Sequence, residues 1–304
     1  MARAALSASR ALAVLNFLAA HADEAFTLSD LAGRLGINLA SAHAVLGVLT
    51  DSGYVVRHPR LRTFTLGPSV VALGNAALER APVIDLAREA ATDLATRLGL
   101  EVAVTAPAGD SIVFLARAGE HQARGFPVYI GQRVPLAPPL GSVFVAWGDT
   151  ENWLAKAEDP APLRDVLAGV RARGYAVALE VDARHQLGLT LEDLADHPTD
   201  MGLRHTVGRI VIDLGREPYQ IDHLEPQQTY DVSGIAAPVF DNNGTVALAL
   251  TLVGFPGGLT GQEVAAYGVR LRDIGIVLTK KTAGRLPSPV SVTLGTASRE
   301  TAGW

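Results

Sequence analysis

One stretch, TLSDLAGRLGINLASAHAVLGVLTDSGYVVRHPRLRTFTL at residues 27–66, constrains the fold more than any other. Thr27 with Asp30 three residues later has the form of a capping box, which opens a short helix by satisfying its first backbone donors. Gly36 ends that helix and supplies a tight turn. Asn38 or Ser41 opens a further helix that runs to about residue 52 or 53. Leu31, Leu35, Ile37, Ala42, Val45 and Leu49 recur at the spacing that packs one helix on the next across a turn. YVVRHP and RTFTL follow as two short strands joined at PRLR. Upstream, a helix is predicted over residues 9–20, capped by Ser7 or Ser9, with Leu12, Leu15 and Ala19 on one stripe. Three helices and a two-stranded ribbon make a winged helix-turn-helix, predicted over residues 1–67.

Charge distribution agrees with such a head. The 304-residue chain carries a net charge of −5. Residues 1–67 nevertheless hold six arginines against four acidic residues, so a mildly basic head sits on an acidic body. There are no cysteines, which excludes disulfides, thiolate metal sites and cysteine nucleophiles and fits a reducing, cytoplasmic setting. The N-terminal apolar run is broken by Ser9, Arg10 and Asn16 and has helical period, so it reads as neither a signal peptide nor a membrane span.

The rest of the chain reads as a second unit. GPSVVALGNAALER, with Pro68 at its start, is a linker helix over residues 68–81. A body over residues 82–284 opens with a helix that has Val83, Leu86, Ala90 and Leu94 on one face and Gly99 as terminator. EVAVTA and SIVFLAR form a hairpin turned at PAGD. GFPVYI is a further candidate strand, RVPLAPPLG a Pro-rich loop and SVFVAWG an apolar helix. Residues 150–173 read as helix with Gly174 as the stop, then YAVALE as a strand. GIAAPVFDNNGTVALALTLVG is a hairpin, and residues 260–281 are a closing helix. No order emerges between Glu180 and Ser233, which reads as a solvated insertion. Residues 285–304 form a polar tail expected to be mobile. The body is therefore an α+β domain with an antiparallel sheet.

These segments, in this order and spacing, resemble the isocitrate lyase regulator (IclR) family of bacterial transcription factors. SASRALAVLNFLA, TLSDLAGRLGI, LTDSGYVVRHP, RTFTLGPSVVALG, GQRVPLAPPLGSVFVAW, VRARGYAV and GIAAPVFDNNGTVALALTLVG carry the likeness. The resemblance implies a GAF-like effector-binding domain behind the head and binding to a double-stranded DNA operator as a dimer or dimer of dimers. It also implies a small organic or aromatic acid as effector and, most often, repression. Four features depart from the family pattern. Leu39 stands where a Lys is usual, Ala44 where an Arg is usual, and Gly234 where a Cys is common. The segment before Gly234 is also longer than usual.

The predicted recognition helix thus offers Asn38, Ala40, Ser41 and His43 to base edges, where Asn can pair with adenine and Ala can meet a thymine methyl. Phosphate contacts fall to Arg57, Arg60 and Arg62 on the wing, to Arg10 and Arg34, and to the helix start at Thr27. In the body, an enclosed apolar pocket with a few polar groups is expected around Leu140, Gly141 and Ser142. There a helix start would offer amides and a hydroxyl to a carboxylate. Ser233, Gly234 and Thr251, polar or small residues in apolar strands, would complete it. Phe126, Tyr129, Phe144, Trp147 and Trp153 read as core or interface. Val70, Val71, Leu73 and Leu78 on the linker helix read as a dimer seam.

No nucleophile-elbow, dinucleotide or phosphate-loop motif is present. His185, His197, His205 and His223 sit among acidic residues without metal-ligand spacing. The expectation is no catalytic residue, no metal, no cofactor and no membrane segment. Two other classes stay open at this level. One is a regulator that has lost DNA affinity and acts by pairing with a paralogue. The other is an enzyme with a fused head, using Ser142 or Ser233.

Overall fold

A computed structural model describes residues 5–120 and 129–287. Phe126, most of GFPVYI and nearly all of the polar tail lie outside the described residues. In the head, α1 (Leu6–Ala20) is followed by β1 (Phe26–Thr27), α2 (Leu28–Arg34), α3 (Leu39–Asp51), β2 (Val55–Arg57) and β3 (Thr63–Leu66). The helix α1 begins three residues before the predicted start. Its N-cap is Ala5, with no side-chain bond, so neither Ser7 nor Ser9 caps it. Its buried face is Val14, Phe17 and Leu18, whereas Leu12 is exposed; the apolar pattern there fits two faces and tertiary packing chose the one with Phe17. Phe17 meets Phe26, Leu31, Leu35, Leu46, Leu49, Val55 and Phe64 in one core. The short β1, absent from the sequence reading, pairs antiparallel with β3 and makes the ribbon three-stranded.

Capping explains the helix-turn-helix. Thr27 Oγ1 accepts from the Asp30 amide and the Asp30 carboxylate accepts from the Thr27 amide, closing the predicted box. Gly36 takes φ +59°, and α2 and α3 cross at 113°. Asn38, not Ser41, caps α3 through Oδ1.

The helix α4 (Pro68–Arg80) has Pro at its first turn and no buried residue. In the body, α5 (Val83–Leu98) ends at Gly99 in the left-handed conformation. Then come β4 (Glu101–Ala108), β5 (Ser111–Ala118), β6 (Arg133–Pro135), α6 (Ser142–Val145), α7 (Thr150–Leu154), α8 (Ala161–Arg173) and β7 (Ala176–Leu179). They are followed by α9 (Asp182–Asp196), α10 (Met201–Leu214), β8 (Thr229–Tyr230), β9 (Val232–Phe240), β10 (Val246–Val253), β11 (Leu259–Thr260) and α11 (Gly261–Lys281).

Several local expectations shift. The Pro-rich loop contributes the edge strand β6. SVFVAWG yields a helix of only four residues. The helix expected over 150–173 is two helices, broken before Pro160, which cannot supply an interior donor. The segment after Glu180 is not a solvated insertion: α9 and α10 pack on each other and bury Leu187, Leu191, Val207, Ile210, Val211 and Leu214.

The main sheet is antiparallel with order β6-β5-β4-β10-β9-β7. Strand alternation sends Val102, Val104, Ile235, Ala237, Val239, Leu248, Leu250 and Leu252 to one face, where α5 and α11 cover them. The other face carries Ala103, Ala176, Ala236 and Ala249 and is closed by α6, α8, α9 and α10. No single helix among the described residues is long and apolar enough to cross a membrane.

Candidate functional sites in head and body

The second face of the sheet is lined with small residues, so the helices over it do not fill the space. A cavity of about 160 Å³ remains. That is close to the roughly 150 Å³ of an apolar cavity known to hold benzene, so its size suits one ring or a short chain. The register explains its walls. Thr251 stands opposite Ala103 on β4 and Ala236 on β9, and Val253 stands opposite Gly234. All of these line the cavity, because residues in register share a face. Leu140, Gly141, Ser142, Ser233, Gly234 and Thr251, all proposed from sequence, line it together. Gly141 is held at φ +85°, a left-handed conformation that favours glycine, and a Cβ there would also push against the ends of Leu136 and Ile112.

The helix start expected to hold a carboxylate is short, and its hydroxyl already has one partner. A four-residue α6 has almost no aligned dipole, and the buried Ser142 hydroxyl accepts a hydrogen bond from Gln220 Nε2 at 2.8 Å. Further polar groups come from the segment left unorganised in the sequence. Gln220 Oε1 is buried without a hydrogen-bond partner. Arg184, on the first turn of α9, lines the cavity at 5% exposure and pairs with Glu180 at 3.5 Å. Burial pushes the neighbouring Tyr219 hydroxyl above the usual tyrosine range, against the pull of the Arg184 charge. Arg184, Tyr219, Gln220 and Thr105 were missed. The available sign was a single Arg among apolar helix positions in ARHQLGLTL, which periodicity reads only as a polar face. Of the aromatic residues, Phe144 and Trp153 are core, Trp147 packs against Phe240, and Tyr129 stacks near His21.

In the head, Asn38, Leu39, Ala40, His43, Ala44 and Val48 form the exposed face of α3. Two candidate base readers already carry structural duties. Asn38 Oδ1 caps α3, and Ser41 Oγ accepts from Arg10 Nη1 at 3.2 Å. The Thr27 amide and hydroxyl both donate to Asp30, so Thr27 has no donor left for a phosphate. The wing is built around His58: its Nδ1 accepts from the amides of Arg60 and Leu61, and its own amide donates to Thr63 O. Arg60 and Arg62 are exposed at this tip, Arg62 at φ +57°. Arg57 lies over the ring of Phe64, its cross-strand partner, with 5.8 Å from guanidinium carbon to centroid.

Head and body touch. Asp196, the last residue of α9, accepts from Arg34 Nη1 at 2.8 Å and contacts His21 Nε2 at 3.0 Å. Thr199 Oγ1 donates to Leu35 O at 2.6 Å, beside the Gly36 turn. Burial pushes the Asp196 carboxyl up, but the hydrogen bonds from His21 and Arg34 and the Arg34 charge outweigh it and leave its pKa below the usual aspartate value. Among the described residues no group of three or more His, Asp or Glu is placed to hold a metal ion.

Comparisons with known proteins agree with this architecture. The model of the IclR helix-turn-helix domain matches residues 7–59. The HTH-type transcriptional regulator XynR of Escherichia coli (strain K12) is 22% identical over 275 residues, covering 90% of this chain and 96% of XynR. The crystal structure of an IclR transcriptional regulator from Alicyclobacillus acidocaldarius superposes with a TM-score of 0.61 at 20% identity, covering 93% of this chain and 100% of that one. An IclR homologue from Microbacterium hydrocarbonoxydans, solved in complex with 4-hydroxybenzoate, gives a TM-score of 0.53 at 17% identity over 85% of this chain and 91% of that one.

Proposed function

This chain is an IclR-family transcriptional regulator, and from that premise we propose that it is a repressor that binds a two-fold operator as a dimer or dimer of dimers and responds to a small organic or aromatic acid. Residues 1–67 are the DNA-binding head, 68–81 the linker, 82–284 the GAF-like sensor and 285–304 a tail. The observation that carries the reading is the largely apolar cavity against the sheet. Six residues dispersed over more than a hundred positions meet in it, and a buried arginine joins them. Arg184 supplies the cation for a carboxylate, Gln220 Oε1 accepts from a ligand hydroxyl or N–H, and the apolar walls take the ring or chain. The 4-hydroxybenzoate held by the Microbacterium relative has this combination of groups.

On the head, Arg60 and Arg62 track phosphates, while Asn38, Ala40, Ser41 and His43 meet base edges through small contacts that leave room for shape readout. The exposed apolar residues of α4, with Val71 at 63% and Leu73 at 57%, are the seam between two heads. Selection of genomic fragments by the purified protein, followed by titration with and without 4-hydroxybenzoate, tests the reading. A two-fold site with steep salt dependence, weakened by the acid, supports it. Recovery of no fragment above background favours instead a regulator that has lost DNA affinity, the outcome to which Leu39 and Ala44 on the recognition face would point.

A further inference from the structure

The head carries few cations, and one of them is occupied by the body. Arg10 is tied to Ser41, Arg57 is stacked on Phe64, and Arg60 and Arg62 project from the wing tip. Arg34 lies at the end of α2, beside the turn that leads to the recognition helix, and it is paired with Asp196. A carboxylate therefore stands where a DNA phosphate would seek a cation. We propose that Asp196 is an autoinhibitory contact, holding the DNA-binding head against the sensor and withholding Arg34 from DNA.

Three observations point the same way. Asp196 bridges two head residues, Arg34 at the end of α2 and His21 just past the end of α1. Both ring nitrogens of His21 are engaged, Nδ1 near Phe17 O at 2.9 Å and Nε2 at Asp196, so the bridge is anchored in the head core. Thr199 adds a neutral hydrogen bond to Leu35 O only three residues further on. The contact is also weak enough to be reversible. The Asp196 and Arg34 side chains are 47% and 38% exposed, and ion pairs in such settings contribute little against water. A DNA phosphate that takes the cation releases about one counterion, so at low salt DNA can compete with this pair.

The position of this contact deepens the reading of the cavity. Arg184 and Asp196 occupy opposite ends of α9, separated by twelve residues, or about 18 Å of helix. The helix that lines the ligand cavity is thus the helix that holds the head, and a ligand-driven shift of its first turn arrives at the bridge. The proposal rests on the reading of the head as a DNA-binding module.

The test uses the full-length chain and four proteins: wild type, Asp196→Asn, Arg34→Ala and the double variant. Asp196→Asn keeps the shape of the side chain and removes its charge. Hydrogen exchange without DNA reads the bridge directly. Peptides covering residues 14–36 and 190–205 should exchange faster in Asp196→Asn, and unchanged exchange in both overturns the proposal. Salt-titrated binding to a random-sequence duplex reads the consequence. Asp196→Asn should bind about threefold tighter or more at low salt, with its log–log slope steeper by about one unit. The double variant should match Arg34→Ala. A gain that persists without Arg34, or no gain where wild type binds, overturns the proposal. If all four proteins ignore DNA while exchange still responds, the bridge stands and it is the DNA-binding reading that has failed.

Discussion

Gln220 Nε2 donates to the buried hydroxyl of Ser142 at 2.8 Å, and this bond aims the other end of the amide, Oε1, into a space with no partner for it. A buried acceptor left unpaired costs about 1–3 kcal/mol, a cost that a bound donor would remove. Replacing the pair together, Ser142→Ala with Gln220→Leu, removes the orphan and its support at once. The double variant should keep its melting temperature or gain slightly, while affinity for 4-hydroxybenzoate falls about tenfold or more. Calorimetry on the same samples reads both. Loss of stability with unchanged ligand affinity would assign the pair to packing alone.

Arg184 should set the charge preference of the cavity. Arg184→Met keeps the bulk of the stem and removes the guanidinium. It should abolish the preference for 4-hydroxybenzoate over its uncharged amide, a preference expected at about tenfold or more in wild type. Equal binding of acid and amide by wild type would exclude Arg184 as a carboxylate anchor.

Gly234 can be used to close the cavity without touching its polar groups. A Cβ there would sit 3.5–3.7 Å from Leu252, Thr251 and Val253, ordinary contact, so Gly234→Ala should fold normally. Gly234→Leu should fill the space, lose ligand binding and leave operator binding intact. Continued response to ligand in that variant would place the effector elsewhere.

Asn38 has two separable roles. Asn38→Ala should lower stability by about 1 kcal/mol through loss of the α3 cap, whereas Asn38→Ser should retain the cap. Both should change operator preference more than affinity for random DNA. If Asn38→Ser leaves preference untouched, the side chain serves the helix and not the bases.

The capping box of α2 should respond to acid in a defined direction. The hydrogen bonds from the Thr27 hydroxyl and amide hold the Asp30 carboxyl below its ordinary value. A depressed carboxylate stabilises the fold fully above its unfolded pKa, near 3.9, and that contribution disappears as pH falls through the folded value. The melting-temperature gap between wild type and Asp30→Asn should therefore be constant from pH 7 to about 5 and shrink below about 4. A gap that widens on acidification would contradict the bonding seen at Thr27.

Legibility followed the range of the interactions. Thr27 with Asp30, the Gly36 turn, Pro68 at a helix start, Gly99 and Gly174 as stops, and the DNNG turn all act within a few residues, and each was readable in place. Ser233, Gly234 and Thr251 stood out because polar or small residues interrupt apolar strands, and Leu140, Gly141 and Ser142 because a Pro-rich loop runs there into an apolar helix; all six line the cavity. Where two local patterns competed, as along α1, the choice of buried face was not readable, and only contact with Phe26 and Phe64 decides it.

By itself the sequence determined the capping box of α2, the glycine stops of α5 and α8, the strands of the two long hairpins and the alternation that separates the sheet's two faces, because backbone bonding and period-two burial are local. It also determined the chemistry available to the head, few cations and a recognition face of small side chains. Tertiary structure alone decided the rest. Arg184 and Gln220 meet Ser142 from 42 and 78 residues away, and Asp196 meets His21 across 175, so no local pattern reports them. Those approaches exist because α9 and α10 had to cover the small-residue face of the sheet. Covering it left a cavity at one end of α9 and placed a carboxylate against the head at the other.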